Sequence, residues 1–186
     1  MMRALKYASA FDMLLMQHPE EKSLSQSGSM NSGALSTKLG IKGIPEEAEV
    51  IQVDRDLRLA EMTNGRIHFF NITTSLALNS ITIAKKRGVK VTCSTSPHYF
   101  NLCEEDIEKW RTYAKVSPPL RNNKNMNAIK TAILNNKIDC ITSDHSPHDT
   151  DSKRLPFEQA SSGVIGFESL LPLTLKLINE KKLSNK

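Results

Sequence analysis

Ile138-Asp139-Cys140-Ile141-Thr142-Ser143-Asp144-His145-Ser146-Pro147-His148 is a short apolar run that ends in an acidic residue, two histidines and a proline. Ile138, Cys140 and Ile141 are too few and too β-branched for a helix, and Pro147 pushes Ser146 into an extended conformation. The stretch therefore reads as a buried strand that stops near Asp144. In parallel α/β sheets the C-terminal ends of strands hold the ligand-binding groups, so Asp144, followed by His145 and His148, stands where chemistry is done. An Asx-type turn with two exposed histidines accounts for the same letters equally well.

Working outward, Asn125 to Asn135 reads as a helix with Met126, Ile129 and Ile133 on one face. Val116-Ser117-Pro118-Pro119 and a small acidic segment around Glu104 to Ile107 precede it. Val89 to Ser94 is a predicted strand, Leu76 to Arg87 a helix closed by Gly88, and Ile67 to Ile72 another strand. Pro45 opens a helix at its favoured first position, with Glu46 and Glu47 in the first turn. Val50, Val53, Leu57 and Ala60 give that helix one apolar stripe, and Asn64-Gly65 ends it. Ser23 to Gly43 is rich in Ser, Gly, Asn and Lys with weak periodicity, which predicts a long functional loop. Phe11 to Gln17 reads as a strand that delivers His18 to its C-terminal end, where Pro19 prevents helix. The first residues, Met1 to Tyr7, read as helix, and Gly166 to Leu177 as an almost wholly apolar one. Strands alternating with helices predict an α/β fold of parallel βαβ units, in one domain over residues 1–186.

Composition limits the classes. With 39% hydrophobic and 24% charged residues the chain reads as a soluble globular unit. No apolar run approaches the roughly 20 residues of a membrane span, and the start shows no signal peptide, so the expected location is cytoplasmic, away from membranes. Cys93, Cys103 and Cys140 are odd in number and far apart, and two lie in predicted strands; reduced, buried thiols are expected. Basic residues are dispersed and only 5% of residues are aromatic, a pattern unlike a nucleic-acid groove. The net charge of +5 suits a small anionic substrate.

Asp144-His145-Ser146-Pro147-His148 also resembles the Asp-His-Ala-Pro-His signature of dihydroorotases, members of the amidohydrolase superfamily, with Ser for Ala. The resemblance takes in Gln17-His18-Pro19-Glu20-Glu21, Gly40-Ile41-Lys42-Gly43-Ile44-Pro45, Thr92 through His98, Pro118-Pro119-Leu120-Arg121 and Gly163-Val164-Ile165-Gly166. It implies a TIM-type (β/α)8 barrel, a fold of about 250 residues. At 186 residues the chain would supply a partial barrel of about four βα units, strands five to eight. The family's first strand, with its metal-binding His-x-His pair, and the fourth-strand residue that bridges two metals would both be missing.

The activity implied is the reversible closure of N-carbamoyl-L-aspartate to L-dihydroorotate in pyrimidine biosynthesis, with zinc as cofactor. In such a reaction a metal-bound hydroxide attacks the ring carbonyl and a carboxylate carries the proton to the leaving nitrogen. By the resemblance Asp144 would be metal ligand and acid/base, and His18 a second ligand. The sixth-strand His-x-x-His becomes His68-Phe69-Phe70-Asn71, which puts Asn71, a poor zinc donor, at a ligand position. Strand alternation predicts that His68 cannot replace it. His148 would bind the substrate carboxylate and Gly163 would offer its backbone there. Ser117 stands where many members have Asn, and Ser162 where many have an aromatic residue. His98 reads as structural. The implied partners are a complementary fragment or a second copy of the chain. The alternative is a noncatalytic dihydroorotase-like companion of aspartate carbamoyltransferase.

Overall fold

The computed structural model describes residues 1–184. In chain order the elements are α1 (Met2–Ala10), β1 (Leu14–Gln17), α2 (Lys22–Ser25), β2 (Met30–Asn31), α3 (Ala34–Leu39), β3 (Gly43–Ile44) and α4 (Glu47–Thr63). There follow β4 (Arg66–Phe69), α5 (Ser75–Lys86), β5 (Val91–Thr95), α6 (Pro97–Asn101) and α7 (Asp106–Trp110). A 3-10 turn at Arg111–Ala114 leads to α8 (Asn123–Leu134), β6 (Cys140–Ile141), α9 (Thr150–Arg154) and α10 (Phe167–Ser184). Asn64, in the left-handed conformation, ends α4, and Thr74 and Asn122 cap the N-termini of α5 and α8 with their side-chain oxygens.

A four-stranded sheet in the order β1-β4-β5-β6 is parallel throughout, as the alternation of strands and helices predicts. Its two faces differ sharply. Ile67, Phe69, Val91 and Cys93 point towards α4, α5 and α8 and pack with Val53, Leu57, Ala77, Ile81 and Ile129. Ile67 and Phe69 are fully buried, each contributing about 2 kcal/mol through the area removed from water. On the other face the register aligns Met16, His68 and Thr92, and then Ser94 with Cys140. Leu14 and Met16 on that face are 41% and 54% exposed, so the sheet has one covered and one open side.

Three expectations need correction. The Ser23–Gly43 segment is no loop: it contains α2, α3 and the two-stranded parallel pair β2-β3. Met30 there is fully buried in a second apolar cluster with Tyr99, Val116 and Leu120. Elements of two to six residues are too short to show a period, and polar contacts hold them instead. Arg121 donates to Asn31 Oδ1 and Ile44 O, both at 3.0 Å, and Asn31 Nδ2 donates to Glu104 at 2.7 Å. Cys140 is exposed, because it lies on the open face of the sheet; Cys93 and Cys103 are buried, and burial pushes their thiols up to about 12. The predicted strands are also shorter than read, with β4 ending at Phe69 and β6 at Ile141.

Candidate active site at the strand C-termini

The residues singled out from sequence collect at the C-terminal ends of neighbouring strands. Phe70 N–H donates to Gln17 O at 2.8 Å, which fixes His18 and Asn71 one residue beyond a bonded pair. Ile72 N–H donates to Ser94 O and Thr142 N–H to Thr95 O, both at 2.9 Å, so the ends of β4, β5 and β6 are likewise tied. His18 is exposed on this rim. Asn71 and Asp144 lie past their strands with φ of 51° and 48°, the left-handed region that Asn and Asp tolerate better than most residues. Alternation along a strand therefore does not relate Asn71 to His68. What keeps His68 from serving as a ligand is its bonding, Nδ1 to Thr92 Oγ1 at 2.7 Å and Nε2 to Ser94 Oγ at 3.2 Å.

Asn71 is buried and its Oδ1 accepts from Thr142 Oγ1 at 3.1 Å. Asp144 is half-buried, and its Oδ2 is 3.5 Å from the Tyr99 hydroxyl, which donates its proton to Pro118 O at 3.0 Å. Burial pushes the Tyr99 phenol well above its ordinary range, and the Asp144 charge adds to the effect. Burial likewise holds the His98 imidazole low, against the opposing pull of Asp144. His98 is buried and its Nε2 has no hydrogen-bond partner among the described residues. Tyr99 and His98 thus border the candidate carboxylate, and Thr142 holds Asn71. Position alone decides this, since their letters resemble those of any core residue.

His145, at the heart of the opening motif, is turned away from proton transfer. Its Nδ1 accepts from Gly166 N–H at 3.1 Å and Phe167 N–H at 3.3 Å, and its ring stacks on Phe167 with centroids 4.0 Å apart. It caps α10 and so anchors the Asp144 loop to that helix. Gly166 must be glycine here, because a Cβ would come within 2.0 Å of Ser143 O.

The substrate-side residues form a second group. His148 is exposed and its Nε2 is 2.9 Å from Ser162 O, so this nitrogen carries a proton and donates it to the carbonyl. Gly163, at φ 132°, packs against Ser146, and its N–H donates to Lys115 O at 2.9 Å. That amide is already engaged. Ser162 and Ser117 are exposed, and Pro118 O beside Ser117 accepts the Tyr99 proton.

The metal implied by the resemblance does not fit these residues. Among the described residues no group of three or more His, Cys, Asp or Glu side chains could hold an ion. Asn71, at the third position, has its amide oxygen engaged by Thr142.

A family model described as Dihydro-orotase-like matches residues 1–76. The chain is 46% identical over all its 186 residues to a dihydroorotase of Geotalea daltonii, of which it covers 44%. It is 45% identical to one of Syntrophobacter fumaroxidans, covering 99% of this chain and 42% of that one. Among solved structures, a D-hydantoinase superposes with a TM-score of 0.78 at 25% identity, over 97% of this chain and 42% of its own. The L-hydantoinase of Arthrobacter aurescens gives a TM-score of 0.79 at 23% identity, over 94% and 40%. The four parallel βα units are part of a TIM-type barrel. The chain spans less than half the length of its curated relatives, and throughout that span its similarity is to the dihydroorotases, cyclic amide hydrolases of the amidohydrolase superfamily.

Proposed function

We propose that this chain provides the proton-transfer and substrate-binding part of a dihydroorotase, which interconverts N-carbamoyl-L-aspartate and L-dihydroorotate, and that it works with a complementary segment carrying the remaining strands. The observation behind this reading is the convergence of His18, Asn71 and Asp144 on one rim of a parallel sheet, beside a loop bearing His148 and Gly163. Asp144, half-buried next to Tyr99, is the group to move a proton between the attacking water and the leaving ring nitrogen. His148 has spent Nε2–H on Ser162 O, so it can donate to a substrate carboxylate only when Nδ1 is protonated as well. Zinc would be the cofactor of the assembled barrel, with His18 and Asp144 as ligands from this side. No step is assigned to the metal within this chain, whose donors are too few.

Mixing the chain with a fragment that carries the missing His-x-His strand tests the reading. Ring opening of L-dihydroorotate should appear in the mixture, and Asp144→Asn should remove most of it, since one carboxylate would serve both ligation and proton transfer. Activity that survives Asp144→Asn would remove the role assigned to that residue. A second reading, a noncatalytic companion of aspartate carbamoyltransferase, is favoured by one observation: Asn71, at the expected histidine position, has its side chain bonded within the fold. Inactivity of the mixture together with co-sedimentation with that enzyme would support it.

A further inference from the structure

Lys115 and Lys153 are 6% and 4% exposed, and every hydrogen bond of their ammonium groups goes to a backbone carbonyl. Lys115 Nζ donates to Phe157 O at 2.7 Å, Glu158 O at 3.0 Å and Ala160 O at 2.7 Å. Lys153 Nζ donates to Ser161 O at 2.8 Å and Thr112 O at 3.1 Å, with a longer contact to Lys115 O at 3.5 Å. An ammonium has three N–H groups, and each of these finds three acceptors. Lys153 Nζ shares the Lys115 carbonyl with the Gly163 N–H, so the backbone of one lysine ties the other to this segment. Between them they pin residues 157 to 161, the chain immediately before Ser162 and Gly163.

This is a costly way to fasten a loop. A buried charge normally has a carboxylate partner, and two neighbouring charges of one sign repel. Carbonyl dipoles solvate these ammonium groups, but among the described residues no carboxylate forms an ion pair with either. Burial pushes both amines below their ordinary range, and the Lys115 charge adds to the effect on Lys153. Glu158, within the same segment, opposes the effect in part at Lys115, and two cations against that one carboxylate leave a net positive field around Ser162, Gly163 and the acceptor of His148.

We propose that Lys115 and Lys153 are positioning residues that set the backbone of the Ser162–Gly163 segment and keep two positive charges beside it, so that this end of the candidate site selects an anionic substrate group. The inference rests on the substrate reading above, and it concerns selectivity for charge rather than the chemical step. Neither ammonium touches the substrate: their three N–H groups are already spent on carbonyls.

The test uses Lys115→Gln and Lys153→Gln, which keep a donor and lose the charge, with Lys→Arg at each position as the conservative control. In the reconstituted pair, KM for L-dihydroorotate should rise about tenfold for each Gln variant while kcat changes less than about threefold. KM for the uncharged ring dihydrouracil should stay unchanged, and Arg should restore the anionic KM. Equal changes for both substrates, or no change for either, would overturn the charge role. Hydrogen exchange on the intact chain decides the positioning role without any activity. In the Gln variants the Gly163 amide should lose about tenfold in protection while Ile67 and Phe69 keep theirs. Full protection at Gly163 would overturn it. An inactive wild-type mixture with lost protection at Gly163 would overturn the dihydroorotase reading and leave the lysine staples standing.

Discussion

At the scale of single residues, the motif Asp144 to His148 divides its labour in a way its spelling does not show. His145 holds α10 by accepting from Gly166 and Phe167, whereas His148 reaches Ser162. Truncating His145 to Ala removes a helix cap and a stacked ring pair, and should lower stability by about 1–2 kcal/mol in urea titration. Gly166→Ala should cost more, about 3 kcal/mol or beyond, because the Ser143 carbonyl stands where the methyl would go. His68 predicts a pH response. Burial holds its imidazole below the ordinary 6.5, so the unfolded chain takes up the proton first. The contribution of the neutral ring is complete above 6.5 and is lost as pH falls through the lower folded-state value. The urea midpoint should therefore drop between about pH 7 and about pH 5, and His68→Gln should flatten that slope.

At the scale of elements, α4 is joined to the loop after β4 by one carboxylate. Glu49, 1% exposed, accepts from the Thr73 and Thr74 backbone N–H groups and from both hydroxyls, the latter at 2.6 and 2.7 Å. Arg121 then donates to Thr73 Oγ1 at 3.1 Å and reaches the β2-β3 pair. This chain of contacts fixes the rim on which Asn71 sits. Glu49→Ala strands four donors and removes the carboxylate that acts most strongly on the buried Arg121 charge, a loss of about 3–5 kcal/mol. Thermal unfolding with near-UV circular dichroism would register it, and a drop in Tm of only a degree or two would show that the network is dispensable.

For the whole molecule, the open face and free edges of the sheet matter most. β1 and β6 each pair on one side only within the four-stranded sheet, and Leu14 and Met16 lie uncovered on its open face. Phe167 and Leu171 on α10 are also exposed, at 67% and 65%. Unpaired parallel edges and contiguous apolar surface template association. Sedimentation at micromolar concentration should show self-association of the chain alone, and a complementary fragment should suppress it. A cooperative monomer would mean that the part-barrel surface is self-sufficient. Dialysed protein should also retain far less than one zinc per chain, since two good donors fall short of the three that catalytic zinc normally uses. Stoichiometric zinc by elemental analysis would contradict the ligand set drawn above.

The sequence by itself determined the parallel α/β order and the placement of His18 and Asp144 just past strand C-termini. Long apolar stripes such as Val53, Leu57 and Ala60 and the strand ends at His18 and Asp144 are local patterns, and hydrophobic burial acts on them wherever they occur. The resemblance of Asp144 to His148 to the dihydroorotase signature agreed with the curated relatives because it rests on letters and spacing. Only the tertiary structure decided what depends on contacts between residues far apart in the chain. The β2-β3 pair was invisible beforehand because each strand is two residues long and is held by Arg121, some ninety positions away. Cys140 was expected inside and is exposed, because the face it occupies finds no partner within the described residues. Burial among backbone carbonyls makes Lys115 and Lys153 staples, and no one-dimensional pattern encodes which carbonyls will surround an ammonium once the chain has folded.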